Sequence, residues 1–94
     1  MNDEANLIKV AADSAPRLVA GAIAGMVREG KPVALQAIGA SAVNQAVKAV
    51  AVARNYLEED KLDLACVPSF TMLTIDTQER TALRIDVLAQ PLQE

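Results

Sequence analysis

Ninety-four residues suffice for one small domain, which buries roughly 60–65% of the surface its unfolded chain exposes. The chain is 52% hydrophobic but only 2% aromatic, so Ala, Val, Ile and Leu must build the core, with Tyr56 and Phe70 as its only rings. A formal charge of −3 and a pI near 4.8 argue against strong non-specific DNA binding, which comes mainly from Lys and Arg neutralising phosphates.

In chain order, residues 7–10 form a short strand candidate. Asp13 and Ser14 offer helix N-caps, Pro16 suits a first turn, and Gly30 offers a stop. Between them Leu18, Val19, Ala22, Ile23, Met26 and Val27 form the predicted apolar face, with Arg17, Gly21, Ala24 and Arg28 opposite. Residues 33–38 form a second strand, and their nearly continuous apolar character predicts a central, doubly covered position. A helix over residues 41–57 follows, with Val43, Ala46, Val47, Val50 and Ala53 facing inward. The run Glu58-Glu59-Asp60-Lys61 reads as a charged connection. Residues 62–67 form a third strand that Pro68 interrupts, with 71–75 continuing it after a bulge or bend. Residues 76–79 make a turn, residues 80–88 a fourth strand, and residues 90–94 a frayed tail.

This order, β-α-β-α-β-β, predicts one domain over residues 1–94 with the architecture of a two-layer α/β sandwich. Both helices lie on one sheet face, and the crossovers are right-handed. The other sheet face must be polar or covered by a second subunit. A small aliphatic core leaves a thin stability margin that burial between subunits would supplement, so an oligomer is expected.

Catalytic chemistry finds little support. Histidine is absent, which removes the commonest general base, the Ser-His and Cys-His pairs and the usual zinc ligands. Cys66 falls in a strand predicted to be buried, where a thiol most often behaves as a small hydrophobe. The carboxylates Glu58, Glu59, Asp60, Asp76 and Glu79 sit in connections rather than enclosed pairs. No enzyme activity, cofactor or metal is expected. A single cysteine excludes an intrachain disulfide, the N-terminal MNDEANLIKV lacks the pattern of a signal peptide, and the longest apolar stretch, residues 19–27, is about half of a roughly 20-residue membrane span. A soluble, cytoplasmic protein is expected.

One surface stands out. The outer face of the second helix carries Ser41, Asn44, Gln45 and Lys48 at i, i+3, i+4 and i+7, with no carboxylate among them. Such a stripe suits a polyanion or a self-complementary partner, although polar outer faces are also the default for surface helices. Val52, on the same face as Lys48 and Asn55, is expected to be covered by something. Gly39, where a strand meets this helix, fits a tight turn, and the free N–H groups that follow can hold an anion. Gly21 and Gly25 form a G-x-x-x-G spacing that permits close backbone packing, for instance against a second subunit.

The segments IKVAADSAP, LVAGAIAG, QAIGASAVNQAVKAVAVAR, DLACVPSF and ERTALRIDV span almost the whole chain, and through them it closely resembles the stage V sporulation protein S family. That resemblance implies a small bacterial regulator with a fold like that of Alba, the archaeal chromatin protein. The similarity to Alba runs through Gly39, Ala46-Val47 and Arg54 and implies a dimer that binds DNA or RNA. Asp13, Ser14 and Ala15 stand where Alba proteins carry lysines, Ile38 and Ala40 where they carry arginines, and Gln45 where they carry a lysine. The leading expectation is a homodimeric nucleic-acid-binding regulator using Gly39, Ser41, Asn44, Gln45 and Lys48, extended by Arg17, Arg28 and Arg80 at the tip of the final hairpin. The rival is an interaction module that assembles with itself or another protein and does not bind nucleic acid.

Overall fold

The computed structural model describes residues 6–93. Strand β1 (Leu7–Val10) leads into a loop closed by the Ala11 N–H, which donates to the Ser14 hydroxyl at 2.8 Å. Helix α1 (Pro16–Arg28) then begins with Ala15 as its N-cap and no capping side chain. Asp13 or Ser14 was expected at the cap, but Pro16 fixes the first turn with Ala15 before it and leaves Ser14 to close the loop. At the other end Lys31 N–H reaches Met26 O and Gly30 N–H reaches Val27 O, with Gly30 at φ 73°, a left-handed stop that favours glycine.

Strand β2 (Val33–Ala37) pairs in parallel with β1 and antiparallel with β4 (Gln78–Pro91). Helix α2 (Ala40–Leu57) follows β2, and a single 3-10 turn (Glu58–Asp60) leads to β3 (Leu62–Ile75). The sheet order is β1-β2-β4-β3, so β2 is central and β3 is an edge. This is the expected two-layer, Alba-like α/β sandwich.

Opposed residues share a sheet face. One face carries Ile8, Val10, Val33, Leu35, Ile85, Val87 and Leu64, which pack in a single core with both helices. The reverse face carries Lys9, Gln36, Arg84 and Ser69 in one row across all four strands and has no helix over it. The expected double cover of β2 is therefore limited to one helical layer, although Ala34 on the reverse side is small enough to be enclosed by its neighbours.

The helix faces differ from the sequence pattern in an instructive way. Ala20, Ile23, Ala24 and Val27 of α1 and Ala42, Ala46, Ala49, Val50, Ala53 and Leu57 of α2 are the buried positions. Leu18, Ala22 and Val47, all expected inside, are exposed, Leu18 by 77% and Val47 by 57%. Ala24, expected outside, is buried. Alanines take much of the contact because small side chains let the helices approach closely, and Leu18 and Val47 are turned outward while Ile23, Val27, Val50 and Leu57 stay inside. Val52 packs against this same core and needs no other cover. Beyond their own chain neighbours and the adjoining backbone of α1, no atom of the described residues lies within 4 Å of where a Cβ on Gly21 or Gly25 would stand, so the G-x-x-x-G spacing serves no close packing among the described residues.

Strands β3 and β4 pair without a break from Leu62↔Pro91 to Ile75↔Gln78, so the bulge expected at Pro68 does not occur. Proline is tolerated because β3 is an edge strand and needs ladder bonds on one side only. Gln90 and Pro91, expected in a frayed tail, are instead paired, and Leu92 N–H donates to Lys61 O at 3.0 Å; Glu94 lies outside the described residues. Asp76 and Thr77, both at positive φ, form a two-residue hairpin turn whose twist suits the strands. Because β2 reaches only Leu83 on β4, residues 71–75 and 78–82 continue beyond it as a two-stranded arm. The longest dimension of the molecule is 47 Å, close to the ~47 Å that a 14-residue antiparallel strand spans.

Candidate nucleic-acid interface

Parallel pairing of β1 and β2 sends both helices off from the same end of the sheet. The Gln45 side-chain amide donates to Ser14 O at 3.0 Å, tying the second turn of α2 to the loop that opens α1. Gly39 enters α2 at φ 91° and ψ 157°, a region essentially reserved for glycine. No side chain caps α2, and its first turn contains no acidic residue. The N–H groups of Ala40, Ser41 and Ala42 have no acceptor among the described residues, because Val43 is the first to bond back, to Gly39 O. Open N–H groups at a helix start favour an anion.

Ser41, Asn44 and Lys48 are exposed along α2, with Ser41 and Lys48 about 10 Å apart by helical rise. Gln45 is half-buried, and its amide orders the α1 loop. Arg17 is exposed in the first turn of α1. The β3–β4 arm leaves the sheet at this same end, and Arg80 is exposed near its tip. Lys9, Arg17, Lys48 and Arg80 have no ion-pair partner among the described residues. Asp13, Asp76 and Glu79 share this end, so the field is mixed rather than strongly basic.

Arg28 does not join this group. It lies at the opposite end of α1, about 18 Å along the axis from Pro16. There Nε and an Nη bond the two Asp60 carboxylate oxygens at 3.1 and 3.2 Å, and the same Nη reaches Tyr56 O at 2.9 Å. The Asp60 hydrogen bond holds this guanidinium above its ordinary value. Arg54, the position through which the resemblance to Alba runs, is likewise engaged, contacting Asp63 at 2.6 and 3.1 Å and pinning the end of α2 to the start of β3. The Arg54 contact, helped by the Leu64 N–H at 2.8 Å, holds the Asp63 carboxyl below its usual value.

The family model for stage V sporulation protein S (SpoVS) matches residues 6–90. The chain belongs to this family. Membership places it among the stage V sporulation proteins and agrees with the Alba-like fold. Among the described residues of this SpoVS chain, no group of three or more His, Cys, Asp or Glu side chains is placed to hold a metal, and no helix is long and apolar enough to cross a membrane.

A second surface of this SpoVS chain was not legible in its sequence. Val47, Ala51, Cys66, Pro68 and Ile85 line an apolar groove of about 270 Å³ between α2 and β3. Phe70 and Met72, next on the same face of β3, are 80% and 58% exposed, so Phe70, like the exposed Tyr56, is not the core ring that was expected. Cys66, expected in a buried strand, is instead exposed because β3 is the sheet edge, and its partial burial in the groove still pushes the thiol up, away from the reactive thiolate. The signal available in the sequence was the alternation Cys66, Pro68, Phe70, Met72 with Val47, but it marks a surface only once the helix phase is known.

Proposed function

We propose that this chain is a nucleic-acid-binding regulator that acts as a homodimer. The observation that carries the reading is the uncapped, acid-free start of α2 at Gly39, tied to the loop that opens α1, with Arg17 exposed in the first turn of α1 and Lys48 about two turns along α2. Three free N–H groups, the Ser41 hydroxyl, the Asn44 amide and two cations can together take up phosphate oxygens of DNA or RNA. Few cations and a net charge of −3 make this a weak, backbone-directed contact.

Dimerisation is supported by the apolar face built from Val47, Cys66, Pro68, Phe70 and Met72. Exposed apolar surface of this kind, next to a small core, is what a second subunit would cover. Pro68, lacking an N–H in the middle of the edge strand, disfavours strand addition there, so the copies meet through side chains. The same face is what favours the rival reading, an assembly module that binds protein alone.

Fluorescence-anisotropy titrations with duplex DNA, single-stranded DNA and RNA decide between them. Binding should be micromolar or weaker at physiological salt, with a shallow slope of roughly −2 to −4 for a dimer with one or two contacting cations per subunit. Lys48→Glu should abolish most of it, Asn44→Ala should cost around 1 kcal/mol, and Cys66→Ala should leave it unchanged. Absence of binding to all three at low salt, or indifference to Lys48→Glu, would transfer the assignment to the assembly module.

A further inference from the structure

The reverse face of the sheet holds a cleft of about 490 Å³ that the phosphate contacts above do not use. Lys9 and Gln36 are register partners on β1 and β2 and form its polar side. The arm bends across to supply Leu73 and Ile75, and Ile38, the residue before Gly39, completes the apolar wall. Arg80 stands directly opposite Leu73 on the same face of the arm. The cleft therefore opens at the end of the molecule where α2 begins.

Its chemistry is specific. Gln36 is half-buried, and its amide makes no hydrogen bond among the described residues. A primary amide presents a donor and an acceptor side by side, the arrangement that reads the edge of a nucleobase. Aliphatic side chains pack against the faces of a flat ring, and the Lys9 ammonium is suited to a phosphate as a point charge. Mostly apolar walls with a few convergent polar groups, in a space of this size, are characteristic of small-ligand sites.

We propose that this cleft receives one unstacked nucleobase with its phosphate, Gln36 pairing with the base edge and Lys9 meeting the phosphate. The ligand chemistry is that of a nucleotide, either free or exposed in a single strand. The strand form rests on the nucleic-acid reading above and extends it: phosphates lie along the start of α2 while a base turns over Ile38 into the cleft. A duplex keeps its bases paired and stacked, so single strands should bind better than duplexes of the same sequence.

The test is a set of amide and side-chain NMR titrations of the full chain with adenosine and uridine monophosphates, run beside anisotropy with single-stranded and duplex oligonucleotides. The expected result is selective shifts at the Gln36 side-chain amide, at Ile38 and at Ala11 and Ala12, which also line the cleft, and a single-strand preference that Gln36→Leu lowers by about tenfold, the worth of one or two hydrogen bonds. Leu73→Asp, which changes the wall on the arm outside the core, should act in the same direction. Mononucleotide shifts without any oligonucleotide effect assign the cleft to a free nucleotide. Inorganic phosphate reproducing the same shifts would overturn the proposal. So would oligonucleotide binding that responds to Lys48→Glu but treats single strands, duplexes, Gln36→Leu and Leu73→Asp alike, and that result would leave the α2 reading standing. If neither mononucleotides nor oligonucleotides bind, both readings fall.

Discussion

Replacing Phe70 with serine gives the sharpest test of the apolar face. The ring is 80% exposed in the single chain, and complete burial of a Phe side chain contributes up to about 3 kcal/mol. About 2 kcal/mol per copy therefore remains to be gained when a partner covers it. A two-fold interface uses the same patch on both subunits, so Phe70→Ser removes the contribution twice, about 4 kcal/mol, or roughly a thousandfold in Kd. Sedimentation velocity over a micromolar concentration series reads this directly: wild type should populate the dimer, and the variant should sediment as a monomer. Leu18→Ser is the control, because Leu18 is 77% exposed but lies on α1, away from the groove. Thiol labelling adds a second readout, since Cys66 lines the groove and should react faster in Phe70→Ser than in wild type. A wild-type mass of 9.9 kDa throughout, or equal effects of the two serine variants, would refute the reasoning.

Three further outcomes concern the fold that holds these surfaces. Leu35→Ala, at a fully buried central-strand position, should cost about 2–5 kcal/mol in urea denaturation, and a loss under ~1 kcal/mol would mean that the core collapses around the gap. Gly39→Ala should cost about 1–3 kcal/mol through backbone conformation alone, because open space surrounds the added Cβ; an unchanged melting temperature would contradict that strain. Asp63, held below its ordinary carboxylate value by Arg54 and the Leu64 N–H, contributes stability that is present above an unfolded pKa near 4 and lost as pH falls through the lower folded value. The stability gap between wild type and Asp63→Asn should therefore narrow on acidification below about pH 4, and a pH-independent gap would exclude the linkage.

Local chemistry made much of this protein legible in its sequence. Pro16 and Gly30 bracket α1, Gly39 turns β2 into α2, and the apolar run at residues 33–38 marks a central strand, observed over Val33–Ala37, because each depends on the backbone preferences of a few adjacent residues. The segments shared with the SpoVS family carry the topology with them. The stripe of Ser41, Asn44 and Lys48 was also readable, since it needs only the period of one helix.

Tertiary packing decided the rest. Which arc of each helix faces inward depends on how closely two helices can approach, so Ala24, Ala42 and Ala49 went inside while Leu18 and Val47 went out, against a ranking by hydrophobicity. Pro68 was compatible with an unbroken strand only because β3 took the sheet edge, a matter of strand order that no local signal carries. Arg28 and Gln45 were drawn into Asp60, Tyr56 and Ser14 by contacts 28 to 32 residues distant in sequence. The cleft at Lys9 and Gln36 exists because the β3–β4 ribbon outruns β2 and bends back across the sheet, bringing residues 9, 36 and 73 to one place. Short-range preferences fix the elements of this chain, but its surfaces arise from pairing and packing between residues far apart in sequence.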